Sequence, residues 1–131
     1  MRLSKFSDFS FRILITLAAS PDELYTVERL ASELELSLNH LKKVVHLLAK
    51  EGYIKSTKGR YGGLRLGKRP DEINLGELLK LTEGDFSLAE CFMEGGTCTL
   101  SPHCKLKGVL SIAMRNFLKE FDNRTLQDII W

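Results

Sequence analysis

Apolar residues recur every three to four positions through the first fifty residues, and this rhythm divides the segment into three short helices. Phe9, Ile13, Leu14 and Leu17 mark the first, with Ser7 or Asp8 as its expected cap and Ser20, Pro21 and Asp22 as its end. Thr26 caps a second, Val27 to Leu34, with Val27, Leu30, Ala31 and Leu34 facing inward. After the tight connection Glu35-Leu36-Ser37, Ser37 caps a third that runs to about Lys50, and Gly52 stops it. Its inward stripe is Leu38, Leu41, Val45 and Leu48, broadened by Val44 and Leu47. From Tyr53 the rhythm changes. Residues 53–58 and 64–67 flank the run Gly59, Arg60, Tyr61, Gly62, Gly63, which predicts a β-hairpin with a glycine-rich tip.

Beyond Pro70 the helical period returns over 73–81, with Ile73, Leu75, Leu78 and Leu79. Residues 82–102 read as mostly irregular. Ser101, with Pro102 at a favoured first helical position, is expected to open a long helix. Its apolar face holds Leu106, Val109, Leu110, Ala113, Met114, Phe117, Leu118 and Phe121, broader than a helix covering one side of a small domain needs. This predicts a dimerisation helix that also packs on its own domain. Thr125 caps a last short helix with Leu126, Ile129 and Ile130. The sequence stops at Trp131 with no polar tail, the ending expected of a truncated chain.

Two helices joined by a three- to four-residue turn form a helix-turn-helix, and a following hairpin makes it winged. The expected fold is therefore mainly α with a small β-hairpin wing. Residues 1–69 form the winged helix-turn-helix DNA-binding domain, and residues 70–131 carry an irregular loop and the dimerisation helix. Charge agrees with this division. Residues 1–69 hold 13 Lys and Arg against 7 Asp and Glu, a net of +6, whereas residues 70–131 hold 6 against 10, a net of −4. A basic front half is suited to phosphates. The outward face of the third helix bears donors and no acid, so Asn39, His40, Lys42, Lys43 and His46 are expected in the major groove. Arg60, with Tyr61 at the wing tip, is expected to reach phosphates or the minor groove. Gly59, Gly62 and Gly63 serve turn geometry.

With 131 residues, of which 44% are hydrophobic and 27% charged, the chain has the composition of a soluble protein with one compact core. No apolar run approaches a membrane span, and the N-terminus lacks a secretory h-region. A cytoplasmic location is expected, with no membrane partner and with thiols kept reduced for metal or redox chemistry. There are three cysteines, Cys91, Cys98 and Cys104, spaced C-x6-C-x5-C. This is neither the C-x2-C pairing of zinc ribbons nor the ferredoxin run. Three thiolates leave a four-coordinate site one ligand short; Asp8, Glu90, His103 or an external molecule are candidates for the fourth. Cys104 is expected in the first turn of the long helix, where the dipole favours a thiolate. There is no glycine-rich phosphate loop, no G-x-S-x-G and no carboxylate pair set for acid–base work. A nucleophile pairing Cys104 with His40 or His46 would draw on histidines of the DNA face, so an enzyme is not expected.

Further residues carry a resemblance. They are Met1-Arg2-Leu3 with Asp8, the wing Gly59-Arg60-Tyr61-Gly62-Gly63-Leu64-Arg65-Leu66, Ser87-Leu88 before Cys91, Thr99-Leu100-Ser101-Pro102-His103-Cys104-Lys105-Leu106, and Phe121 to Asp128. Across essentially the whole chain these resemble the Rrf family of winged-helix bacterial regulators, in its NsrR branch. The resemblance implies a homodimeric transcriptional repressor that binds a DNA operator, holds an iron–sulfur cluster and senses nitric oxide. It implies Cys91, Cys98 and Cys104 as cluster ligands, with Asp8 of the other subunit completing a [4Fe–4S] site, favoured over [2Fe–2S]. A carboxylate is a harder, weaker ligand for this iron than a thiolate, so Asp8 is the ligand expected to leave first. The IscR branch uses a histidine three residues after the last cysteine, where this chain has Lys107. The iron-responsive RirA branch shares a stretch like Ala89-Glu90-Cys91-Phe92, which keeps an iron sensor open as an alternative. So do a structural zinc site and a metal-free switch in which peroxide acts on Cys104.

Overall fold

The computed structural model describes all residues, 1–131. Five helices and one hairpin follow each other as α1 (Lys5–Ala19), α2 (Val27–Leu34), α3 (Leu38–Lys50), β1 (Ile54–Thr57), β2 (Gly63–Leu66), α4 (Leu75–Thr82) and α5 (Lys105–Asp122). Short 3-10 turns occupy Pro70–Glu72, Glu90–Phe92 and Leu126–Ile129. The expected mainly α fold with a hairpin wing is the one observed. No helix is long and apolar enough to cross a membrane.

The caps of α2 and α3 are those expected: the Thr26 hydroxyl accepts from the Arg29 amide and the Ser37 hydroxyl from the His40 amide. Between these helices Glu35 takes the left-handed conformation at φ 55°, and the amides of Glu35 and Leu36 turn back onto the last turn of α2. The cap of α1 is neither Ser7 nor Asp8. It is Ser4, whose hydroxyl accepts from the Ser7 amide. Ser7 lies one turn inside and is fully buried, which the apolar rhythm could not reveal because the residues that mark it begin only at Phe9.

Three further boundaries differ from expectation. Ile73 is fully buried but precedes α4, which starts after an Asn74 cap; the Ile73 carbonyl instead accepts from the Leu126 amide. The long helix starts at Lys105, not at Pro102. The amides of Ser101 and His103 bond back three residues, to the carbonyls of Cys98 and Leu100, so this segment forms tight turns rather than α ladder. Cys104 is therefore the N-cap of α5, and no side chain caps that end. The C-terminal segment after Thr125 is a 3-10 turn closed by a reciprocal bond pair between Thr125 and Asp128.

One hydrophobic cluster joins the two parts of the chain. Ile13 and Leu14 of α1, Leu30 of α2, and Leu41, Val44 and Leu48 of α3 meet Ile73, Leu78, Leu79 and Leu126, all fully buried. The wing docks on this body through Ile54 and Leu64, and an isolated bridge pairs Tyr25 with Leu64. By contrast, no residue of α5 is buried. Leu118 and Phe121, near its C-terminal end, pack against the core, with the Phe121 ring 5.9 Å from that of Phe11. Toward the N-terminal end Leu106, Val109 and Ile112 stand 60%, 61% and 55% exposed. Ile112 joins this apolar surface, although the face expected from the sequence left it out.

Candidate nucleic-acid interface and thiol site

The basic surface is built on α3 and the wing. Four of the five α3 residues expected to meet DNA, Asn39, Lys42, Lys43 and His46, are exposed on one face, opposite the buried stripe. His40 departs from them. It is half-buried, and its ring lies 4.9 Å from the Phe9 ring and 6.3 Å from the Phe6 ring. Position 40 falls at the edge of the helix where α1 approaches, so aromatic packing turns the imidazole toward α1 instead of outward.

At the wing tip the Gly62 amide donates to the Gly59 carbonyl, placing Arg60 and Tyr61 at the two central positions of a turn. Tyr61 is 79% exposed, with the Arg60 guanidinium 5.7 Å from its ring centre. A side chain at Gly62 would drive into the Thr57 carbonyl, 2.1 Å from where its Cβ would stand, so the turn closes only with glycine there. Lys55 and Arg65 are directly paired across the hairpin, and both are exposed. Like charges opposite each other oppose strand pairing. Such a pair is favourable on a surface whose partner is a polyanion. This doublet was absent from the residues singled out by sequence, because only the register brings positions 55 and 65 together.

The second site is the loop after α4. Its root is tied to the first turn of α1 at two points. The Ser4 amide donates to the Glu83 carboxylate at 3.0 Å. The hydroxyls of Ser7 and Thr82 meet at 3.0 Å in a buried contact, and the Thr82 hydroxyl also bonds the Leu78 carbonyl. Further along, Asp85 accepts from Ser87, which holds the Asp85 carboxyl below its ordinary value. The Glu90 carboxylate accepts from both the hydroxyl and the amide of Thr97, at 2.8 and 3.2 Å, and these bonds likewise hold it below the usual range. Glu90, considered as a metal ligand from sequence, is thus engaged by Thr97. His103 is exposed in a turn.

Cys91, Cys98 and Cys104 are free thiols, each half-buried. In the single chain no three Cys, His, Asp or Glu side chains converge on a point that would hold one metal ion. Nor does the chain bring Asp8 to its own cysteines. The Asp8 carboxylate faces outward from α1 and pairs with Arg12 one turn on, at 2.9 and 3.0 Å. An exposed pair of this kind contributes a few tenths to about 1 kcal/mol, so its carboxylate is readily exchanged for another partner. The chemistry of the donor set, three unpaired thiols on a short loop, suits an iron–sulfur cluster, whose irons take thiolate ligands.

A helix-turn-helix with a basic, acid-free reading face and a wing defines a DNA-binding winged-helix transcriptional regulator. The comparisons with known proteins agree. Residues 3–131 match the Rrf2 family, described as iron-dependent transcriptional regulators, and the chain belongs to that family. It is 47% identical to the HTH-type transcriptional regulator NsrR of Bacillus licheniformis, covering 99% of this chain and 92% of that protein. Identity to the regulator of the same name from Bacillus subtilis is 42%, over 99% of this chain and 90% of that protein. Among solved structures, CymR, the global cysteine regulator of B. subtilis, superposes with a TM-score of 0.75 at 29% identity, over 98% of this chain and 95% of that one. IscR of T. potens superposes with a TM-score of 0.77 at 21% identity, over 98% and 85%, and shares the fold.

Proposed function

We propose that the chain forms a homodimeric cytoplasmic repressor, not an enzyme, that binds double-stranded operator DNA under the control of an iron–sulfur cluster, with nitric oxide as the signal. Cys91, Cys98 and Cys104 would hold the cluster, and the partner subunit's Asp8 would complete it, with [4Fe–4S] favoured over [2Fe–2S]. The observation that carries this reading is the fastening of the thiol loop to the DNA-binding module, Glu83 to Ser4 and Thr82 to Ser7. The names of the relatives, regulators called NsrR at 42 and 47% identity, point the same way.

When bound, the cluster supplies iron that reacts with nitric oxide. The rest of the task falls to the chain. Asn39, Lys42, Lys43 and His46 would meet base edges and phosphates, and Arg60 and Tyr61 the flanking backbone or minor groove. Two copies of α3 read a pseudo-palindromic operator only at a fixed separation. Order in the thiol loop bears on α1 through Ser4 and Ser7, and α1 bears on α3 through Phe6, Phe9 and His40. His40 is in this reading a joint between helices as well as a neighbour of the DNA face. Moving the dimer from 99:1 to 1:99 in favour of the binding form takes about 5.5 kcal/mol, or under 3 per subunit, within reach of a few hydrogen bonds and an ordered loop.

A second reading, with iron supply as the signal, is favoured by the family's description as iron-dependent. One experiment separates the two. Protein purified without oxygen is assayed for visible absorption and operator retention, then treated either with nitric oxide or with an iron chelator. The expected result is a coloured protein that releases DNA on nitric oxide, and a colourless Cys98→Ala variant indifferent to it. Release by the chelator alone selects the iron reading, and equal colour in the two proteins removes Cys98 from the ligand set.

A further inference from the structure

We propose that Glu90 and Thr97 form a clamp that holds Cys91 beside Cys98, so that both are positioning residues for a preassembled thiol pair to which Cys104 is added from a separate element. The two clamp residues each stand one position before a cysteine, and they bond to each other. Glu90 Oε1 accepts from Thr97 Oγ1 at 2.8 Å and from the Thr97 amide at 3.2 Å. The backbone closes at the same place. A Cβ added to Gly96 would stand 2.1 Å from the Glu90 carbonyl oxygen, so the two strands of this loop approach as closely as only glycine allows. Within the turn, the amides of Met93 and Gly96 bond back to the carbonyls of Glu90 and Met93. Cys98 lies two residues beyond Gly96, at most roughly 7 Å of chain. The thiols at 91 and 98 are thus confined to one neighbourhood without any metal.

Cys104 is held differently. It is the N-cap of α5 and moves with that helix, and no hydrogen bond of the clamp reaches it. Hence the loop presents two thiols as a unit and the helix supplies the third. The carboxylate of Glu90 is an acceptor in this arrangement, not a ligand. The use of the thiol pair for capturing iron rests on the cluster reading above, whereas the effect of the clamp on that pair does not.

Phenylarsine oxide tests the clamp on the metal-free full-length chain, because it condenses with two neighbouring thiols to form two As–S bonds with release of one water. In a Cys104→Ser background, intact mass should show one arsenical per chain, and adding Cys98→Ser should abolish it. Glu90→Ala should raise the arsenical concentration for half-occupancy roughly three- to tenfold, the range for losing exposed hydrogen bonds. Thr97→Val should cost less, because the amide donor remains. Glu90→Gln should recover most of the affinity, since its side-chain carbonyl still accepts from Thr97; a ligand carboxylate would not be rescued this way. Glu90 is exposed, so circular dichroism should be unchanged throughout. Equal affinity in Glu90→Ala and its parent, or failure of Glu90→Gln to rescue, overturns the clamp. If the arsenical behaves as expected but the wild-type chain acquires no visible absorption with ferrous iron and sulfide, the clamp stands and the cluster reading falls.

Discussion

Tyr53 closes the core at the entrance to the wing, 6% exposed, with the Lys68 ammonium 4.2 Å from its ring centre. Burial pushes its phenol up from the ordinary 10.0, and the negative charges of Glu77 and Glu51 push it further. The folded state therefore favours the neutral phenol. Stability from this group is complete below 10.0, where the unfolded chain would begin to ionise, and is lost as pH rises through the higher folded value. Tyr53→Phe keeps the ring and removes the proton, so its urea midpoint should decline less than that of the wild type above pH 10.0. Parallel decline in both proteins would assign alkaline unfolding to other groups. At this scale the sequence was informative wherever one residue type does one job. Cys91, Cys98 and Cys104 announced themselves as thiols, and Arg60 and Tyr61 as a wing tip. It was least informative where a partner far along the chain sets the role. His40 looks like a reader of DNA until Phe9 is placed against it, and Glu90 looks like a ligand until Thr97 is.

The elements themselves follow from local chemistry in the first half of the chain. Thr26 and Ser37 cap the helices they were expected to cap, and Gly52, at φ 81°, ends α3. The turn between α2 and α3 has one unfavourable feature. Glu35 adopts φ 55°, a left-handed conformation that disfavours residues with a Cβ by roughly 1–2 kcal/mol. Glycine is the common occupant of this position after a helix. Glu35→Gly should accordingly stabilise the fold by about 1 kcal/mol, read as a rise in urea midpoint at constant slope. A fall in midpoint would show that the Glu35 side chain contributes more than the backbone strain takes away. In the second half, local chemistry misleads. Ser101 and Pro102 have the form of a helix start, yet their segment is bound into turns with Cys98 and Leu100, which delays the helix to Lys105.

Across the whole molecule, α5 is the anomaly. It runs about 27 Å, meets the main core near its C-terminal end through Leu118 and Phe121, and is half-buried at Leu110 and Met114 where the loop bearing Phe86, Leu88 and Phe92 faces it. The contact with α4 is fixed by Lys80 bonding Asp122 at 2.7 Å and by Gly76, whose missing side chain leaves room for Asp122. The rest of the helix presents Leu106, Val109, Ile112 and Phe117 to solvent. Covering each of these would contribute on the order of 1.5–3 kcal/mol at most, and the proposed dimer would cover them. Ile112→Glu should give a protein that sediments as a monomer, with unchanged circular dichroism because Ile112 lies outside the core and is exposed, and with weakened operator binding. A dimer that persists in this variant would move the subunit interface off α5.

The winged helix-turn-helix, its basic surface and the three unpaired cysteines were legible in the residues alone. These depend on local periodicity, capping and composition, which act within a turn or two of the chain. Tertiary structure decided how the parts are joined. Ser7 meets Thr82 across 75 positions of sequence, Ser4 meets Glu83 across 79, and Lys55 stands opposite Arg65 because of the register of the wing. No periodicity encodes such pairings, since each is settled only when the shared core around Ile13, Leu78 and Leu126 closes and brings distant polar groups within hydrogen-bonding reach.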